Sequence, residues 1–181
     1  MQSWISRAVL GGALAIVALA GATAQASADF EVHVKGSGEV ARIGELRDPA
    51  SATLPSAREV FGDPASARRR ERVTCPARWP GIGLRIVFVD LGGGDPCTRE
   101  GNAQTATLND RRWSTSRGLH VGDPVAKARR LYPNARHLYG QLALVTRPSP
   151  FGDGGWLVPL GAKAAGGKVT ALQVWLGGAG E

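Results

Sequence analysis

The chain has 181 residues, 22 Lys and Arg against 15 Asp and Glu, a formal net charge of +7 and 43% hydrophobic residues. That length and apolar content exclude a wholly disordered polypeptide and fit one domain with a real core. Arginine outnumbers lysine 18 to 4, so any charge-steered partner is anionic: cell-wall polymer, lipid head groups or an acidic protein face.

The first element in chain order is an export signal. Arg7 precedes an uncharged apolar run from Ala8 to about Ala22, followed by small residues and then Asp29. This is the charged, apolar and small-residue order of a cleavable secretory leader. Cleavage is expected after Ala26 or, better, after Ala28, because the first charge and first strand-like run follow at once. Residues 1–28 are therefore read as the signal, leaving 153 residues at about +6. No cysteine lies near the site to carry a lipid, and no later stretch is apolar enough to span a bilayer. Nucleic acid is not an expected partner outside the membrane.

Phe30 to Lys35 alternates apolar and polar residues and predicts a half-buried strand. Thr53 to Phe61 predicts a helix, with Thr53 as cap and Pro55 in the first turn, where amide protons lack partners. Leu54, Ala57, Val60 and Phe61 share its apolar face, and Gly62-Asp63-Pro64 stops it. The run Arg68 to Arg72 reads as a solvated linker or strand edge. Cys75 to Trp79 is short and extended. Leu84 to Val89 is the clearest strand, with Leu84, Ile86 and Phe88 on one face. The glycine-rich turn from Leu91 to Cys97 lacks the Gly-Lys-Ser/Thr ending and the following helix of a phosphate loop, so it reads as a turn around a disulfide.

Thr105 to Thr115 is expected to be extended, anchored by Trp113. Asp123 as cap with Pro124 at the first helical position predicts a second helix to about Tyr132, ended by Pro133. Its apolar face is Val125, Ala128, Leu131 and Tyr132. Strands are expected at His137–Val145, Trp156–Leu160 and Val169–Trp175, the last two joined by a flexible connection from Gly161 to Lys168.

The two cysteines, Cys75 and Cys97, are an even count in an exported chain and predict a disulfide. A zinc site is not expected: it needs about four ligands, and His33, His120 and His137 are scattered singly. No cofactor is indicated. Ser114-Thr115-Ser116 near His120 is the one tempting nucleophile-and-base arrangement. There is no Gly-x-Ser-x-Gly elbow and no His-Glu-x-x-His string.

The two helices align at one offset of 71 residues, Leu54, Ala57, Val60 and Phe61 matching Val125, Ala128, Leu131 and Tyr132. This predicts an α+β fold: an antiparallel sheet with two short helices, built as a tandem duplication of a helix-then-strands unit, residues 29–112 and 113–181, forming one compact domain.

The stretch from Gly118 to Pro124, its helix ending Leu131-Tyr132-Pro133, Trp156 and the closing run Lys168 to Leu172 resemble the helix-then-sheet unit of small outer-membrane assembly lipoproteins. Two such units in tandem are similar to the secreted β-lactamase inhibitor protein family. That resemblance implies two helix-and-sheet repeats forming a concave surface that grips another protein. The sequence departs from the family in having one cysteine pair instead of one per repeat, and no inhibitory residue carries over.

The function expected from all this is non-catalytic: an exported binding module, its partner another exported protein or an anionic envelope polymer. Alternatives are a charge-held envelope structural or assembly protein and, less favoured, a secreted hydrolase. Tryptophan and arginine are enriched at binding hot spots, so the candidate surface is Trp79, Trp113, Trp156, Trp175, Arg111 and Arg112. At least two of the tryptophans should lie exposed beside arginines on one sheet face.

Overall fold

Alternation of apolar and polar residues along successive short strands builds the molecule around one large antiparallel sheet. A computed structural model describes residues 30–34, 41–43, 53–149 and 152–176. The predicted signal lies outside them, and so does part of the first predicted strand's surroundings. Among the described residues no helix is long and apolar enough to cross a membrane.

Strands β1 (Phe30–Val34) and β2 (Ala41–Ile43) precede helix α1 (Leu54–Phe61). Then come β3 (Ser66–Ala67), β4 (Thr74–Trp79), β5 (Leu84–Val89), β6 (Asn102–Leu108) and β7 (Trp113–Thr115). Helix α2 (Val125–Leu131) is followed by β8 (Arg136–Leu138), β9 (Gln141–Pro148), β10 (Trp156–Ala165) and β11 (Lys168–Trp175).

Eight strands form one sheet in the order β3-β4-β5-β6-β11-β10-β9-β8, every neighbouring pair antiparallel. Each helix is thus followed by four strands that meander outward-to-centre, and the two meanders meet at β6 and β11. A small second sheet has the order β2-β1-β7, with β1 parallel to β7. The α+β class and the predominance of antiparallel pairing agree with the sequence.

Both helices cover one face of the large sheet. The rung Trp79–Leu84–Leu108–Leu172–Ala162–Leu142 crosses six strands and every member is buried. The rung Ala77–Ile86–Ala106–Val174–Leu160 is buried too. Leu54 and Ala57 of α1, Ala128 of α2 and Tyr132, the residue that ends α2, join these residues in a single core cluster, with Val125 packed against it. Fully burying each Leu, Ile, Phe or Val in this layer contributes about 1.5–3 kcal/mol.

Helix α1 forms as its sequence predicts: the Thr53 hydroxyl accepts from the Ser56 amide at 3.4 Å, and Pro55 sits in the first turn. Helix α2 corrects one expectation. Pro124, not Asp123, occupies the cap position, and it offers no side-chain bond. The Asp123 carboxylate instead accepts the His120 amide at 2.7 Å and pairs with Lys127 at 2.7 Å. The exposed end of α2 is satisfied from the sheet, since the Val125 amide donates to the Gly167 carbonyl at 2.9 Å. A tertiary partner has taken the place of a local cap.

Two strand expectations are also corrected. The predicted strand His137–Val145 is a hairpin, β8 and β9, reversed at Tyr139 (φ 50°) and Gly140 (φ 73°). The predicted flexible connection from Gly161 to Lys168 is instead strand up to Ala165, closed by a two-residue turn at Gly166 and Gly167 (φ 57° and 74°). Two left-handed residues in succession suit the twist of a hairpin, and paired glycines adopt them without steric cost.

Candidate functional site

A residue that lies between two core-facing neighbours on a strand points to the opposite face of the sheet. That rule places one rung on the face turned away from the helices: Arg78–Arg85–Thr107–Gln173–Gly161–Ala143–Arg136, which crosses seven of the eight strands. With neighbouring strands about 4.8 Å apart, its ends lie roughly 29 Å from each other. This outer face is the candidate site.

At its β8–β9 end lies a groove of about 240 Å³ whose lining includes Thr105, Tyr139, Gln141, Trp156, Gln173 and Trp175. Among the described residues no carboxylate lines it. The Arg136 guanidinium stacks 3.8 Å from the Trp156 ring centre, and the Arg147 guanidinium stands 5.1 Å from that of Trp175. Trp156 is 40% exposed and Tyr139 71% exposed. A guanidinium stacked on an indole is attracted by the ring's negative face; Arg136 Nη2 also donates to the Thr146 hydroxyl at 3.4 Å. At the floor, Gln141 folds over Gly161, where an added Cβ would collide with its amide. Gln141 Oε1 is buried with no hydrogen-bond partner among the described residues.

Two of the four tryptophans, Trp156 and Trp175, stand beside arginines at this groove, but only Trp156 is exposed and Trp175 is half-buried, so the expectation of two exposed tryptophans is met by one. The other two tryptophans of the candidate surface require correction. Trp79 and Trp113 are buried core residues, 4% and 0% exposed, and no partner can reach them. Each indole N–H is consumed inside the fold, Trp79 donating to the Gly62 carbonyl at 2.8 Å and Trp113 to that of Ile82 at 2.7 Å. Phe61 of α1 packs edge-on against both rings. Trp79 is a bulky apolar side chain on the helix-covered face of the large sheet, and Trp113, on β7 of the small sheet, packs into the same core cluster.

Arg112 is likewise structural. It makes a two-pronged contact with Asp110, at 2.9 and 2.8 Å, and donates to the Gly81 carbonyl at 2.7 Å. The Arg112 side chain and backbone amide together hold the Asp110 carboxyl down at about 2. Arg111 is exposed but lines neither the groove nor the outer rung. Sequence reasoning missed Arg136, Arg147, Arg78 and Arg85. The signal for Arg85 was present, because it stands between Leu84 and Ile86 on the clearest strand.

Cys75 and Cys97 are bonded, with Cα atoms 5.3 Å apart. The bridge fastens the turn after β5 to β4. Ser114 and His120 are backbone partners across a tight turn. The His120 ring lies 3.4 Å from the Arg111 carbonyl, and no histidine side chain bonds a serine hydroxyl among the described residues. Among those residues no group of three or more His, Cys, Asp or Glu is placed to hold a metal ion.

No protein-family model, no curated protein and no solved structure matches this chain.

Proposed function

We propose that this chain is an exported, non-catalytic binding module that grips a partner through the outer face of its eight-stranded sheet. One observation carries the proposal: on the sheet face turned away from α1 and α2, Trp156 and Trp175 share a groove, each beside an arginine, with no carboxylate among the described residues of the lining. Aromatic and arginine side chains concentrate binding energy when a partner desolvates them. An antiparallel sheet with one face covered leaves the other available for a partner.

Export is supported by the leader-like residues 1–28 and by the Cys75–Cys97 bridge, since reducing compartments seldom keep structural disulfides. We further propose that the fold arose by tandem duplication. In its favour, Ala57 and Ala128 are both fully buried at the matched offset, and each helix precedes a four-stranded meander. The strand order then makes β6 and β11 the corresponding last strands, joined antiparallel at the centre. The resemblance to the β-lactamase inhibitor protein family implies two helix-and-sheet repeats that grip another protein, and the partner is taken to be another exported protein. The alternative of an envelope protein held by charge alone draws on the exposed arginines of Arg68 to Arg72.

A pull-down from envelope fractions at low and high salt, with wild type and a Trp156→Ala/Trp175→Ala variant, separates the two. The module reading expects a protein that weakens but stays bound at high salt and is lost from the variant. Release by salt irrespective of the tryptophans would favour the charge-held reading, because exposed charges are screened within about 10 Å at 0.1 M salt.

A further inference from the structure

The other end of the outer rung carries a second feature. Arg78 on β4 and Arg85 on β5 are direct partners across the ladder, and both are exposed. Like charges placed opposite each other on adjacent strands destabilise a sheet. Neither makes a hydrogen bond or ion pair through its side chain among the described residues. With Thr107 and Asn109 the two arginines line a depression of about 330 Å³. Thr107 adjoins Gln173 on the rung that leads to the tryptophan groove.

We infer that Arg78 and Arg85 form a seat for carboxylates, and that the partner presents an acidic, extended segment to this face. The inference rests on the reading of the outer face as the binding surface and names the chemistry of what binds there. Each guanidinium offers a planar fork that matches one carboxylate. The Cβ atoms of directly opposed residues lie about 5 Å apart. Carboxylates at alternate positions of an extended chain fall on one side, about 6.6 Å apart, within reach of two flexible arginines. A membrane surface fits less well. The large exposed hydrophobics among the described residues are Leu91, Tyr139 and Trp156, and the middle of the rung is polar.

The test uses the mature chain and a fluorescent peptide of alternating glutamate and threonine, followed by anisotropy at two salt concentrations. Arg78→Gln/Arg85→Gln should weaken peptide binding about tenfold, the loss expected for charge-assisted hydrogen bonds. The same peptide with glutamine for glutamate should not bind. The variant should melt no lower than wild type, because a like-charge contact has been removed, so a loss of binding reports the site and not the fold. Unchanged binding by the arginine variant overturns the inference. Phosphatidylglycerol vesicles that outcompete the peptide with the same arginine dependence also overturn it, in favour of a lipid surface. If Trp156→Ala/Trp175→Ala loses the peptide while the arginine variant keeps it, the carboxylate seat falls and the binding face stands. If neither variant matters, both fall.

Discussion

Replacing Trp113 and Trp156 separately by alanine should have very different consequences. Trp113 is 0% exposed, sits edge-on to Phe61 with ring centres 6.5 Å apart and donates to the Ile82 carbonyl at 2.7 Å. Deleting a buried indole leaves a cavity and an unmatched carbonyl, a loss of about 3–5 kcal/mol. Against a typical domain stability of 5–15 kcal/mol, that is a large fraction. Trp113→Phe restores most of the volume and should recover all but about 1–2 kcal/mol, the share of the lost hydrogen bond. Trp156 is 40% exposed and holds Arg136 at 3.8 Å. Its removal costs a solvent-facing stack worth about 0.5–1 kcal/mol. Urea unfolding followed by far-UV circular dichroism reads both without relying on tryptophan emission. A loss above about 2.5 kcal/mol for Trp156→Ala, or below about 1 kcal/mol for Trp113→Ala, would refute the division into core and surface tryptophans.

Three further outcomes follow from the same geometry. Replacing both Cys75 and Cys97 by alanine opens a loop with a sequence separation of 22 and should cost about 3 kcal/mol by chain entropy, read as a lower urea midpoint. Gly101→Ala would drive a Cβ into the Pro96 backbone and should cost about 1–3 kcal/mol, whereas Gly81→Ala, with nothing within 4 Å, should be near neutral in the same melts. Asp110, held at about 2 from an ordinary 3.8 by Arg112, has a depressed folded pKa. Its stabilisation is therefore present above pH 3.8 and lost as pH falls toward 2. After screening at this partly exposed pair it amounts to about 1 kcal/mol, and Asp110→Asn should remove that part of the acid dependence.

Local signals were legible where local interactions decide the structure. Thr53 and Pro55 start α1 because the cap hydroxyl and the missing amide both act within one turn. Leu84 to Val89 forms β5 at the expected bounds because its alternation meets a covered sheet face. Long-range partners decided the rest. The Gly167 carbonyl caps α2 from a hairpin more than forty residues away in sequence, which no reading of Asp123-Pro124 alone could foresee. Tyr139-Gly140 reverses the chain although tyrosine is an uncommon residue with positive φ. The β6–β11 pairing that joins the two meanders leaves no local trace.

The site was half legible for a related reason. Composition drew attention to tryptophan and arginine, but which face each occupies depends on strand register. Trp79 shares a rung with Leu84 and Leu108, so it turns inward. Trp175 is opposite Thr105, so it turns outward, where Arg147 meets it. Arg112 looked available in sequence and is tied to Asp110. The arginines that do face outward, Arg78 and Arg85, become a pair only once β4 and β5 are aligned.

Site-specific photo-crosslinking during export tests the outer face most directly. A photoreactive residue replacing Gln173, at the middle of that face, should yield one discrete protein adduct, while the same residue replacing exposed Ala126 on α2 should yield none. An adduct from position 126 without one from position 173 would contradict the account.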